Sequence, residues 1–250
     1  MRKILLLAFS GFCIGNQLMA QDSIVFKKPK TDWSKVSLAN RANDHFLIQF
    51  GYDGWGGIPD TITTQWYSRH FNAYVMYDMP FKSNPRLSFA GGIGVGTSSM
   101  FFDKMSFDLA GKSGNNSILI TNVSAANHFK KYKIATTWLE VPLELRWVSN
   151  PLESGKSFKF AIGTKVGTMV DNHTKGKDYQ DKDGNSLYGP KYKAKEKSRR
   201  YMNSLRIAPT VRIGWGPITL YGAYQVTPFF KDGEGPDVRP YSIGLSLGGL

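Results

Sequence analysis

Charged residues recur at even spacing in three separate stretches of this chain. Glu140, Glu144 and Arg146 share one parity of WLEVPLELRW (138–147). Lys159 and Lys165 share a parity of FKFAIGTKVGTMV (158–170), and Arg206 and Arg212 one of SLRIAPTVRIGW (204–215). In extended backbone, side chains two apart lie on the same face, so each set lines one side of a strand. Gathered into one interior, these groups have two chemistries open to them. They would form a polar conduction path or proton relay, or a network of buried salt bridges that fills the space, since charges in a low-dielectric interior must be paired. The pairing requirement favours the network, so a passive pore is not expected.

Other chemistry is thinly represented. His45, His70, His128 and His173 show no metal-ligand spacing. His173 with Asp171, or His128 in a loop, could serve a lipid-modifying active site, but no nucleophile signature accompanies either. In DYQDKDGNS (178–186), Gly184 set at the glycine of a calcium loop would put Pro190 where the closing acid belongs, so that motif fails. Asp183-Gly184-Asn185 reads instead as a tight turn. The run Lys191, Lys193, Lys195, Lys197, Arg199 and Arg200 is stronger. Its alternating lysines read either as a solvated face extending the strand at 204–215 or as a site for lipopolysaccharide phosphates, with Lys193, Lys195, Lys197 and Arg199 as contacts. No catalytic residue, metal or cofactor is expected.

The elements that would position these residues are strands. Alternation places Phe46, Ile48, Phe50 and Tyr52 on one side of 45–54, and Phe71, Ala73, Val75, Tyr77 and Met79 on one side of 70–79. In 87–97, Leu87, Phe89, Ile93 and Val95 oppose Ala90, Gly92, Gly94 and Gly96. A fourth strand runs from about Lys133 to Trp147, with Leu139, Val141, Leu143, Leu145 and Trp147 opposite the charges. Strands at 158–170, 204–215, 218–227 and 241–250 complete eight, with Pro209 tolerable at an interruption of the ladder. Connections alternate: short at 80–86, 149–157 and 216–217, long around 55–69, 98–132, 171–203 and 228–240. That is the pattern of an outer-membrane barrel with tight periplasmic turns and long external loops.

The beginning of the chain agrees. Arg2 and Lys3 precede the apolar run ILLLAFSGFCIG, which ends near Ala20, as in a secretory signal peptide. The run is shorter than the ~20 residues a spanning helix needs, and Phe12 before Cys13 argues against a lipoprotein. Cys13 is the single cysteine, so the chain after Ala20 has none to offer for disulfides or thiol chemistry. Net charge is +13, and removing Arg2 and Lys3 leaves +11. An exported protein rarely meets nucleic acid, so phosphate-rich lipid headgroups are the expected acidic surface.

Parity alone does not separate a lipid-facing barrel from a soluble, lipocalin-like barrel with its apolar face inside. The charged parity is rich in Gly and Ala, which suits a cramped interior, and Trp147 and Trp215 end two strands at one height, as an interfacial girdle does. WLEVPLELRW followed by FKFAIGTKVGTMVDNHTK also resembles the PorT-like family of small outer-membrane β-barrels. The resemblance rests on Trp138, Leu139, Glu140, Val141 and Pro142, then Gly163 and Gly167, and extends over about 44–250; Leu250 departs from the usual terminal Phe or Trp. It implies an eight-stranded antiparallel barrel. Its namesake belongs to a secretion apparatus, although most members have no assigned role.

The expected protein is therefore all-β: a signal peptide (1–20), a periplasmic leader (21–43) with a short helix around 33–39, and an eight-stranded antiparallel transmembrane up-and-down β-barrel (44–250). The expected function is a non-enzymatic outer-membrane scaffold or interaction protein of the Gram-negative envelope with a plugged lumen. Its partners would be outer-membrane lipid, lipopolysaccharide and envelope proteins, with no nucleic acid. A lipid A-modifying enzyme and a small channel are the alternatives.

Overall fold

The computed structural model describes residues 45–248. The signal peptide with Cys13, the leader with its expected helix, and Leu250 lie outside the described residues. Strands β1 (Phe46–Gly56), β2 (Arg69–Pro80) and β3 (Leu87–Phe102) run as an antiparallel meander. A small hairpin follows, β4 (Met105–Asp108) with β5 (Leu119–Asn122). Then come β6 (His128–Val148), β7 (Phe158–Gln180), the short β8 (Lys193–Lys197), β9 (Leu205–Trp215), β10 (Ile218–Tyr224) and β11 (Arg239–Gly248). The pairings β6–β3–β2–β1–β11–β10–β9–β7, with β7 returning to β6, close a ring of eight antiparallel strands. Closure leaves no sheet edge within the wall.

The ring turns the usual protein inside out. Phe46, Phe50, Phe71, Val75, Ile93, Leu139, Val141, Ile162, Val211 and Ile243 stand exposed on the outer face; Val75, Ile162 and Ile243 are each 54% exposed. Gln49, Asn72, Asp78, Glu140, Glu144, Lys165, Arg206 and Arg212 are buried on the other. A lipocalin-like barrel has the reverse arrangement, and an apolar belt that runs round the molecule suits hydrocarbon rather than water. The fold is an eight-stranded antiparallel transmembrane β-barrel.

Strand ends depart from the alternation-based limits. β6 has 21 residues and β7 has 23, about twice what a tilted strand needs to cross hydrocarbon. Both continue well past the belt: beyond it the outward positions include Lys131 and Lys133 on β6 and Asp171, His173, Lys175 and Lys177 on β7, while the inward ones keep burying Tyr132, Ile134, Asn172 and Thr174. Apolar alternation fades there although the ladder does not. The β6–β7 register shifts at Thr137/Trp138: Thr137 opposes Asp171 and Trp138 opposes Met169, leaving Val170 as the extra residue of a bulge. The bulge reverses parity on β7, so even-numbered side chains face out below it and odd-numbered ones above it. β8 pairs with the top of β7 and is not a continuation of β9. Two prolines mark interruptions. The β3–β6 pairing breaks between Gly91↔Leu143 and Gly94↔Glu140, at Pro142. The β9–β10 pairing ends at Thr210↔Ala223, next to Pro209. Neither proline has an N–H to donate.

The loops at the long-loop end are packed together. Trp55 and Ile62 from the first, Phe107, Leu109 and Ile118 from the second, Tyr201 and Met202 from the third, and Phe229, Phe230 and Val238 from the fourth join one buried apolar cluster with Trp138 and Met169 of the wall. At the other end the connections are short, and 149–157 folds around a 3-10 helix (Pro151–Lys156) capped by the Asn150 side chain.

Candidate functional site

Two carboxylates organise the interior, and the backbone around each is cleared for it. Glu140 sits across the ladder from Gly94 on β3 and Gly167 on β7, and Arg206 of β9 lies across from Gly167. The glycine between them lets the two side chains meet over β7: Arg206 donates to Glu140 Oε1 at 3.0 Å, Lys165 approaches Oε2 at 3.6 Å, and the Tyr74 hydroxyl donates to Oε2. A Cβ added at Gly167 would come within 2.8 Å of Glu140 Cγ. Glu144 repeats the arrangement opposite Ala90 and Gly163. Arg212 grips both its oxygens, at 3.0 and 2.6 Å, and Arg146 Nε donates to Oε2 at 2.9 Å while reaching Asp78 at 3.6 Å. Bidentate pairing of this kind is the geometry that repays desolvation of a buried ion pair.

Six of the seven charges named from sequence are brought into these two clusters. The seventh, Lys159, is half-buried at the short-turn mouth, lining a cavity of about 30 Å³ with Asp78, Arg146 and Arg212. Sequence reasoning passed over a third polar knot. Asp53 lies 2.9 Å from His70 Nδ1 and accepts from the hydroxyls of Ser98 and Ser242. His70 lies against Tyr221, with ring centroids 5.8 Å apart. The signal was available: Asp53, His70, Tyr74 and Asp78 occupy the parity opposite the apolar one in 45–54 and 70–79. Above the Glu140 cluster, the Arg206 guanidinium covers the Trp138 ring at 5.4 Å, which joins the network to the apolar cluster of the loops.

The remaining candidates fall on the outer face or in the loops. His173 Nδ1 bonds Asp171 Oδ2 at 2.7 Å, but Lys197 holds the same carboxylate at 2.5 Å, and no serine hydroxyl bonds either residue among the described contacts. His128 begins β6 and is tied to the Ala126 carbonyl at 2.9 Å. In the failed calcium motif, Asp181 caps a turn through the amides of Asp183 and Asn185, with Gly184 at φ +90°. No group of three potential metal ligands occurs among the described residues. Trp147 and Trp215 flank Phe158 edge-on, at 6.1 and 6.4 Å, giving three aromatics in a row at the short-turn rim. A second row, not anticipated, sits at the other rim, where Tyr52 packs against Tyr241 beside Tyr224. Lys193, Lys195 and Lys197 point outward from β8 and are exposed. Arg199, just past it, donates to the Met169 carbonyl at 2.7 Å.

No curated protein matches the chain. The family model described as outer membrane protein beta-barrel domain matches residues 45–228, which takes in Trp147, Trp215 and seven of the eight ring strands. A closed ring, apolar outside and charged within, is what such a family requires, and the chain belongs to the outer membrane protein beta-barrel domain family.

Proposed function

We propose that this integral outer-membrane protein is a non-enzymatic scaffold or interaction protein whose lumen is plugged. The observation that carries the reading is that side-chain clusters follow one another through the interior. The Glu144 and Glu140 clusters, the Asp53–His70 knot and the apolar loop cluster succeed one another inside a ring of eight strands, whose interior is just wide enough for side chains. The long loops face outward, and the short turns and the N-terminal leader lie in the periplasm, as is usual for barrels of this kind. Outer-membrane lipid, including lipopolysaccharide, surrounds the wall, and envelope proteins meet the ordered loop surface. The Glu140/Gly167 and Glu144/Gly163 pairs give physical sense to the sequence features shared with PorT-like proteins, which supports placing the chain near them. A link to a secretion apparatus follows from that placement alone.

Pure protein in a planar bilayer is expected to give no stable ohmic steps; regular steps from monomer would overturn the plugged lumen. Crosslinking in native outer membranes, followed by mass spectrometry, should recover a stoichiometric protein partner. Altered lipid A that reverts in His173→Ala would instead establish the enzymatic alternative.

A further inference from the structure

The tops of β6, β7 and β8 form a three-stranded sheet that continues beyond the apolar belt. Its register places Lys133, Lys175 and Lys195 side by side in one row, and Lys131, Lys177 and Lys193 in the next. All six project from the outward face: five are exposed, and Lys133 is half-buried beside the Phe101 ring at 5.4 Å. On this lattice, neighbours are about 5 Å apart across strands and about 7 Å along them. Like charges directly opposite one another destabilise a sheet. The nearby acids are committed elsewhere: Glu196 holds Lys112 and the Leu109 amide, and Asp171 holds Lys197 and His173. Below, on the same face, stand Leu139, Val166 and Val170 of the belt.

We propose that this lysine grid is a binding site for a phosphorylated lipid headgroup of the outer leaflet. The anion would relieve the repulsion between the rows while the lipid's chains lie against the belt beneath. The site rests on the outward orientation of the long loops proposed above. It differs from what the basic run 191–200 suggests alone, because four of its six cations come from β6 and β7, while Lys197 and Arg199 are occupied within the protein.

The decisive variant therefore leaves β8 untouched: full-length protein carrying Lys131→Gln, Lys133→Gln, Lys175→Gln and Lys177→Gln. Removing mutually repelling charges should leave heat-modifiable gel migration intact. Binding is read in phosphatidylcholine vesicles containing bisphosphorylated or dephosphorylated lipid A. Each cation near an anionic surface is worth about fivefold in affinity before screening, so the folded variant should bind bisphosphorylated lipid A at least about tenfold more weakly. Wild type should prefer the bisphosphorylated form. Equal binding by variant and wild type, or by wild type to both lipids, would overturn the site. Displacement of the lipid by millimolar inorganic phosphate would assign the grid to a free anion and overturn the lipid reading. Orientation is tested separately: Ser186→Cys should react with a membrane-impermeant maleimide on intact cells. Reaction only after permeabilisation would overturn the orientation beneath the proposal while leaving the grid's affinity as measured.

Discussion

At the scale of single residues, this interior depends on what is missing as much as on what is present. Gly163 and Gly167 place no side chain between β6 and β9, so glutamates on one strand reach arginines two strands away. Gly163→Val should be severe, since even a Cβ there would lie 2.1 Å from the Leu143 carbonyl oxygen. We expect loss of heat-modifiable migration on refolding into detergent. Glu140→Gln keeps the volume but leaves Arg206 and Lys165 buried without their shared anion. Breaking one side of a buried pair typically costs about 3–5 kcal/mol. Urea unfolding in lipid vesicles should show a loss of that order, and Lys159→Gln, at the half-buried mouth, should show little.

At the scale of elements, β7 is governed by its bulge. Past the extra residue Val170, Asp171, His173, Lys175 and Lys177 lie outside and Asn172, Thr174 and Asp178 inside. Deleting Val170 would remove the bulge and let plain alternation run on from Met169, with Asp171 still outside, Asn172 still inside and both keeping their β6 partners. The barrel should still form with the top of β7 paired, read as no new protease cleavage within 171–180. The β4–β5 hairpin offers a test by pH. Asp108 accepts from the Ser113 hydroxyl at 2.6 Å and from the amides of Ser113 and Lys112. The Ser113 hydroxyl leads in holding its carboxyl down at about 2, against about 3.9 in an unfolded chain. A depressed folded value means the turn's stabilisation is full above the unfolded value and lost as pH falls from there toward 2. Protection of the Lys112 and Ser113 amides relative to their intrinsic exchange rates should fall across that window, and Asp108→Asn should remove the pH dependence.

At the scale of the whole molecule, the loop cluster and the charged network act as one body through Trp138. Its ring is 1% exposed, packs within the apolar cluster and lies beneath Arg206. Trp138→Ala would open a cavity at this junction, with a typical cost of about 3–5 kcal/mol. The unfolding midpoint in vesicles should fall accordingly. Protease sensitivity should rise together in the loops at 57–68, 103–127 and 225–238, because all contribute to the same cluster. A variant whose loops loosened one at a time would show that the cluster is not cooperative.

Much of this protein was legible without coordinates, and the reason is the membrane. Lipid outside and crowding inside impose a period of two on every crossing strand, so spacing alone put Phe71 and Val75 on one face and Glu140, Glu144, Arg206 and Arg212 on one face, and the Gly and Ala of the charged parity with the tryptophans at the rim said which face looks outward. Alternating connection lengths set the strand count for the same reason: a chain that crosses a layer must turn back at each side. What spacing could not say is which residues share a row. The pairing of Glu140 with Arg206 across Gly167, the parity reversal at Val170 and the alignment of lysines from 131–133, 175–177 and 193–195 all depend on register between strands distant in sequence. The packing of Trp55, Phe107, Tyr201 and Phe230 depends on how four loops meet. Hydrogen bonding around a closed ring decides those alignments, and no single segment carries that information.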